Sequence, residues 1–389
     1  MPARRPAVSI CMSTPKVSIL LPCFNAAPFL EERIDSILAQ TFSDWEAIVL
    51  DSYSDDGSWE FFQSIASSDS RFRLYRIPRE GVYAALNRGI ELATGECLHV
   101  ATCDDTMAPE FLTATLELFA QCPEAGIAAC DVLLINRGGG ELTAKDMADY
   151  LPVESINDLL GLTTVRCAYP RTEQQLKLNY RPPPHDCLLH FSTKSVYFSL
   201  TQLLIRTTLA RSIEPFDTTV GSIADLGWLL RLTNLAGTVH VPRKLAMWRF
   251  CGDQLSIQPD RLRLYHVKAM FERAVPQIYR RHKRLLTRNE CGVLMLPAKA
   301  YLAVSKKTRR RLKLEAFIRV LWMFFRKPAA TLRAIRRTQF SIQTLKATLV
   351  PMFFARSGLA PEDIHPTAIR RAVHGETSLH AGAFHEAEK

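Results

Sequence analysis

Apolar residues along the first 135 positions fall into two alternating rhythms, short continuous runs and stretches with helical spacing. Residues 17–21 form an apolar run broken by one serine, which predicts a strand, and Pro22 is expected to stop it. Phe29, Leu30, Ile34, Ile37 and Leu38 then recur every three or four positions up to Gln40. This spacing predicts a helix, with Glu31 and Glu32 in a first turn where the helix dipole favours anions. Residues 47–50 predict a second strand, Phe61, Phe62 and Ile65 a second helix, and residues 72–77 a third strand. A third helix over 83–93 ends at Gly95, and residues 97–101 form a fourth strand. Such alternation predicts an α/β protein with a parallel-type sheet covered on both faces.

Farther along, residues 109–119 predict a helix and 127–135 a strand that runs into Arg137 and three glycines. Residues 141–200 show no clear period, and Pro182, Pro183 and Pro184 mark an irregular loop. A helix over 226–235 and strands over 238–241 and 244–250 follow. Beyond Arg261 the period is helical almost throughout, with Lys and Arg set among Leu, Ile, Phe and Trp. The organisation expected is a lead-in over 1–16, a main domain over 17–260, a basic helical region over 261–374 and a disordered tail over 375–389. The apolar cluster of residues 317–325 is shorter than the ~20 residues that span a bilayer. Periodicity leaves two roles open for it, a helix lying in a membrane interface and a core helix.

Composition changes this picture mainly through charge. The 389 residues, 47% hydrophobic, suffice for one large or two ordinary domains, and the net charge is +10. From Arg261 onward there are 27 Lys and Arg against 8 Asp and Glu, whereas residues 1–260 hold 22 against 31. The basic rear suits an anionic partner such as a membrane surface, and equally a solvated helical face. Ten cysteines lie scattered with no C-x-x-C pair or zinc spacing, so neither a zinc site nor a disulfide framework is expected. Prolines and serines interrupt the first 16 residues, so no signal peptide is expected, and a reducing cytoplasm is the natural compartment.

The candidate chemistry lies at strand ends. Asp51 follows the second strand and opens an acid-rich turn, Asp51-Ser52-Tyr53-Ser54-Asp55-Asp56-Gly57. Asp104 and Asp105 follow the fourth strand. Open α/β sheets bind ligands at this edge, and a hard divalent cation carrying a diphosphate takes one or two carboxylates there. Adjacent like charges repel unless a cation or donor compensates them. A metal-dependent enzyme acting on a nucleotide-linked substrate is the expectation. Asp225, just ahead of an apolar helical run, fits a helix cap as well as a catalytic base.

Four motifs in register resemble family 2 glycosyltransferases: residues 17–25 with Pro22-Cys23-Phe24-Asn25, residues 36–42 with residues 50–58, residues 81–89 with Ala93-Thr94-Gly95-Glu96, and Thr102-Cys103-Asp104-Asp105. The likeness covers roughly residues 17–256. It implies a GT-A nucleotide-diphospho-sugar transferase fold, with a mostly parallel mixed sheet divided into a nucleotide-binding half, 17–140, and an acceptor half, 141–260. On matching residues it implies that Pro22, Phe24 and Asn25 border the base and ribose, that Asp51 accepts from the base, and that Asn87 supports the pocket floor. Asp104 would contact ribose or metal, Asp105 would ligate Mg²⁺ or Mn²⁺, and Arg79 would stand near the nucleotide. Asp225 would be the general base, followed by Trp228. Thr102, Ala224 and Cys251 stand where relatives carry an acid, a Glu and often a His, and Arg249 offers a charge in the last case.

The implied activity is inverting transfer of a sugar from a nucleotide diphosphate donor to a hydroxyl of a saccharide or lipid-linked saccharide, in cell-surface polysaccharide or glycolipid assembly. The protein would work on the inner face of the plasma membrane, with no nucleic-acid partner expected. Tyr169, His185, Asp186 and Trp228 are possible contributors to the acceptor site. Two other readings stay open: a sugar nucleotidyltransferase, against which the cation-poor loop at 22–27 argues, and a non-catalytic adaptor with a degenerate GT-A domain.

Overall fold

A computed structural model describes residues 15–143, 146, 180–184, 186–187, 190, 197, 199–251 and 263–282. Its strands are β1 (Val17–Cys23), β2 (Trp45–Asp51), β3 (Phe72–Arg76), β4 (Cys97–Val100), β5 (Thr106–Met107), β6 (Ala125–Ile135), β7 (Leu203–Arg206) and β8 (Gly237–Arg249). The helices are α1 (Ala27–Leu38), α2 (Ser58–Ser68), α3 (Val82–Leu92), α4 (Phe111–Gln121), α5 (Thr207–Arg211), α6 (Ala224–Leu235) and α7 (Arg263–Arg281). The expected alternation therefore holds from β1 to β4. The lead-in over 1–14, Tyr169, His185, the cluster at 317–325 and the tail lie outside the described residues, and of the basic rear only α7 is described.

The strands form one sheet in the order β3-β2-β1-β4-β7-β6-β8-β5. β3, β2, β1 and β4 are parallel, β7 runs antiparallel to β4 and β6, β8 is parallel to β6, and β5 is antiparallel to β8. Successive residues of each buried strand feed opposite cores, as period-2 geometry requires. Leu20, Ile48 and Leu50 join a core with Leu86, Trp228 and Leu232, while Ile19, Leu21, Ala47 and Val49 join another with Leu30, Phe62 and Phe111. The chain leaves β1 toward β2 and β3, then crosses back to place β4 on β1's other flank. The C-terminal ends of β1 and β4 thus flank the switch point where such sheets bind ligands.

Three local expectations are corrected. Pro22 lies inside β1, paired in register with Leu50. Its missing N–H falls on the β4 flank, where β4 has already ended at Val100, so no ladder bond is lost. Helix α1 begins at Ala27 with proline in its first turn, so Glu31 and Glu32 fall in the second turn. Glu32 instead pairs with Arg249 at 2.5 Å. Finally, the two strands expected over 238–250 are one strand, whose register slips between Val241 and Lys244 opposite Cys130 and Asp131. Pro242 and Arg243 are accommodated as a bulge.

A network at the opposite edge of the sheet fixes β1 against β2 and β4. Ser18 Oγ donates to Glu46 Oε1 at 2.6 Å, Arg73 pairs with Glu46 Oε2 at 2.6 Å, and the Gly95 amide donates to Ser18 Oγ at 2.8 Å. Gly95 is required here by close approach, since an added Cβ would stand 2.6 Å from the Ser18 nitrogen. Asp186 is likewise structural: it is buried, ion-paired with Arg181 and bonded to the Tyr197 hydroxyl. No helix among the described residues is long and apolar enough to cross a membrane.

Candidate active site

Two loops leave the switch-point edge and lace together. The amides of Asn25, Ala26 and Ala27 donate to Ser54 Oγ, Ser58 Oγ and Asp56 Oδ2 at 3.0, 3.0 and 2.9 Å. Asn25 and Asp55 exchange a second pair of bonds, Nδ2 to Oδ1 at 2.8 Å and amide to Oδ1 at 3.0 Å. The side chain of Asn25 therefore clamps the loop after β2, and this holds its backbone in the left-handed region at φ 49°. Tyr53 also adopts a left-handed conformation, φ 59°, which costs a bulky residue about 1–2 kcal/mol.

Asp51, the last residue of β2, sits between these loops and is fully buried. Its Oδ2 accepts from the Ser54 amide at 3.2 Å and lies 3.6 Å from Arg76 Nε, while its Oδ1 has no hydrogen-bond partner. A buried acceptor left unmade costs about 1–3 kcal/mol, which sets Oδ1 apart from the satisfied oxygens of Asp105. Around it stand two of the exposed large apolar side chains, Phe24 at 37% and Tyr53 at 59%. Arg79 lies with its guanidinium carbon 3.6 Å from the centroid of the Phe24 ring. Asn25 and Asp51 are thus joined through Ser54, and Phe24 and Arg79 through their ring contact.

The Asp104–Asp105 turn closes the other side of the switch point. Asp105 is 2% exposed, and both its oxygens are satisfied, Oδ2 by Thr102 Oγ1 at 2.7 Å and Oδ1 by the Arg249 amide at 2.9 Å. Burial, and then the Asp104 charge beside it, push its pKa up to about 7 against those two bonds. Burial likewise raises Asp104, whose carboxylate is the less enclosed of the two. Arg249, expected to offer charge to the substrate, lies 1% exposed beneath the turn. Its guanidinium donates to the carbonyls of Asp104, Asn136 and Arg137 and to Glu32. Arg33 of α1 is also fully buried, and none of its guanidinium nitrogens has a hydrogen-bond partner. Burial lowers its pKa to about 10, opposed by the fields of Asp105, Cys103 and Asp104, so it acts as a fixed positive charge within the turn's reach.

No cluster of three or more His, Cys, Asp or Glu among the described residues is arranged to hold a metal ion. The donor set still fits a Mg²⁺-type ion, because such ions take as few as one protein carboxylate when substrate phosphates supply the rest. Asp104 is the carboxylate suited to that contact, since the oxygens of Asp105 are already engaged by Thr102 and Arg249.

Asp225 lies in the first turn of α6, whose cap residue is Ile223. It is partly buried, and its Oδ1 accepts from the Leu226 amide at 2.6 Å. The Tyr83 hydroxyl donates to the Ser222 carbonyl at 3.3 Å, tying the start of α6 to the start of α3, which leaves the same sheet edge as Asp51. Trp228, 1% exposed, stacks on Phe216 with centroids 4.3 Å apart, and Phe216 stacks on Tyr83 at 5.5 Å. Asn87 makes reciprocal bonds to the Phe216 backbone, 3.0 Å from Nδ2 to the carbonyl and 2.8 Å from the amide to Oδ1. Asn87 and Trp228 therefore hold α6 and its approach loop against α3. Sequence reasoning missed Arg76, Arg33 and Tyr53, of which only Arg76 carried a signal, its place at a strand end beside Asp51.

Residues 18–180 match the model described as Glycosyl transferase family 2. Over those residues the chain is similar to family 2 glycosyltransferases. Within this family the chain is 40% identical over 91 residues to the uncharacterized glycosyltransferase EpsJ of Bacillus subtilis, covering 23% of this chain and 26% of that protein. It is 36% identical over 97 residues to a PGL/p-HBAD biosynthesis glycosyltransferase of Mycobacterium tuberculosis, 25% of this chain and 38% of the relative. The chain thus spans between about a quarter and two fifths of these relatives' length. The crystal structure of S. aureus TarS 1-349 in complex with UDP-GlcNAc superimposes with a TM-score of 0.55 at 13% identity, over 92% of this chain and 89% of that one. That likeness establishes the GT-A fold expected of a family 2 glycosyltransferase.

Proposed function

We propose that this chain transfers a sugar from a nucleotide diphosphate donor to a hydroxyl acceptor with inversion at the anomeric carbon. The observation that carries the reading is Asp51, buried at the switch point with one carboxylate oxygen lacking any donor and two exposed aromatic rings beside it. A nucleobase supplies both what that oxygen lacks and what those rings stack on. The neighbouring TarS structure, which holds UDP-GlcNAc, is consistent with a donor of this kind.

Asp51 Oδ1 accepts a ring N–H of the base, and Phe24 and Arg79 border the base and ribose. Asp104 holds the diphosphate end, together with a Mg²⁺ or Mn²⁺ ion that would offset charge on the leaving group. Arg249, Thr102 and Arg33 do not touch substrate; they keep the Asp104–Asp105 turn in place and balance its charge. Asp225 takes the proton of the acceptor hydroxyl as its oxygen bonds to the anomeric carbon, and the nucleoside diphosphate departs from the opposite face. Orientation of the two substrates by the laced loops and the α3–α6 ladder supplies much of the remaining acceleration.

The acceptor we propose is a saccharide or lipid-linked saccharide of the cell surface, met at the inner face of the plasma membrane. The charge excess beyond Arg261 supports contact with an anionic surface, and the naming of the mycobacterial relative for PGL/p-HBAD biosynthesis is in keeping with it. The test is Asp225→Asn. Donor turnover, followed as slow hydrolysis of a UDP-, GDP- or dTDP-sugar with Mn²⁺, should fall by about 10²–10⁴, the range for removing a general base, while nucleotide affinity stays within twofold. Equal loss of turnover and binding would remove Asp225 from the role.

A further inference from the structure

Arg76 ends β3 in register with Asp51 and places its Nε 3.6 Å from Asp51 Oδ2. Two aromatic rings hold it there: its guanidinium carbon lies 4.6 Å from the centroid of Trp59 and 5.3 Å from that of Tyr53. Tyr53 occupies a left-handed backbone conformation that glycine would adopt without strain, yet its ring is 59% exposed, so burial does not offset that strain. Strain without compensating burial, at a pocket edge, marks a residue kept for what it does.

We propose that Arg76, positioned by Tyr53 and Trp59, selects the nucleobase of the donor, reading with Asp51 the imide edge of uracil or thymine. The proposal rests on the reading of Asp51 as the base contact and adds to it which base is taken. Asp51 offers one acceptor, Oδ1, because Oδ2 is occupied by the Ser54 amide and Arg76. Beside that acceptor Arg76 offers donors. An imide presents an N–H with a carbonyl oxygen on each flank, so it satisfies both residues whichever way the ring lies. Guanine presents an N–H with a carbonyl on one flank and an amino group on the other. In one of its two orientations a donor therefore faces the Arg76 donors. Cytosine and adenine present a bare ring nitrogen at this position, a lone pair against the Asp51 carboxylate. Sites built to hydrogen-bond one pattern reject another because the buried groups are left unmade.

The experiment is calorimetric titration of UDP, dTDP, GDP and CDP, with Mn²⁺, into the full chain and into Arg76→Met and Tyr53→Gly, with thermal unfolding to verify that each variant is folded. The wild type should bind UDP and dTDP at least tenfold more tightly than CDP, with GDP between. Arg76→Met should weaken UDP about tenfold and bring UDP and GDP within threefold of each other. Tyr53→Gly should unfold at the same or a higher temperature while binding UDP more weakly, a pairing that a purely structural tyrosine would not give. An unchanged UDP affinity and UDP-to-GDP ratio in folded Arg76→Met overturns the selecting role while leaving the glycosyltransferase reading intact. Should no nucleoside diphosphate bind the wild type, the glycosyltransferase reading fails and this proposal with it.

Discussion

Asp51 and Asp105 are both buried carboxylates following parallel strands, and what satisfies each one separates their roles. Asp105 has a donor on each oxygen from its own chain, whereas Asp51 keeps one oxygen without a partner. Asp105 is further marked by a pKa pushed up to about 7 by burial and by Asp104. A carboxyl raised in the folded state adds stability that is fully present below the ordinary carboxylate range and is lost as pH rises through about 7. The unfolding temperature of the wild type should therefore drop between pH 5 and pH 8 by more than that of Asp105→Asn, as scanning calorimetry at a series of pH values would record. Parallel curves would show that Asp105 does not titrate in this range. At this scale the sequence was informative where an acid followed an apolar run, which is how Asp51, Asp104 and Asp105 stood out. Arg33 was invisible because burial of a cation depends on elements far apart in the chain, and Arg76 showed only as a strand-end cation, its seating on aromatic rings depending on the fold.

Helices α3 and α6 are joined by the Asn87–Phe216 bond pair, the Tyr83–Ser222 bond and the Tyr83–Phe216–Trp228 stack. This joint sets where Asp225 stands relative to Asp51. Asn87→Ala removes two hydrogen bonds and leaves backbone groups of Phe216 unmade, at a cost of about 1–3 kcal/mol. Its unfolding midpoint in urea should fall accordingly, and its donor turnover should drop more than its nucleotide affinity, because the base moves while the base-binding loops do not. A variant that loses affinity and turnover together would place Asn87 in the nucleotide pocket, the role its motif implied. The strand–helix alternation from β1 to α3 was readable because each element there is amphipathic or wholly buried in one stretch. The bulge in β8 and the antiparallel β7 were not, since Pro242 read as a strand break and β7 finds its place between β4 and β6 only through pairing across more than 70 residues.

At the scale of the whole molecule, one sheet with a core on each face brings the ends of β1, β2 and β4 to a single edge, and the Tyr83–Ser222 bond ties the start of α6 to the start of α3. The GT-A architecture was legible because four motifs stood in register, and the register of motifs encodes the order of strands. The division of labour among the acids was less so, because it depends on which oxygens the fold leaves without donors. The account stands on Asp51 holding a nucleobase at that edge. The direct measurement is calorimetric titration of a uridine diphosphate sugar with Mn²⁺ into the wild-type chain and into Asp51→Asn. Loss of a charge-assisted hydrogen bond is worth about 1.5–3 kcal/mol, so the dissociation constant should rise about 10- to 100-fold in a variant that still unfolds cooperatively. An Asp51→Asn protein that binds the donor as tightly as the wild type would contradict the account.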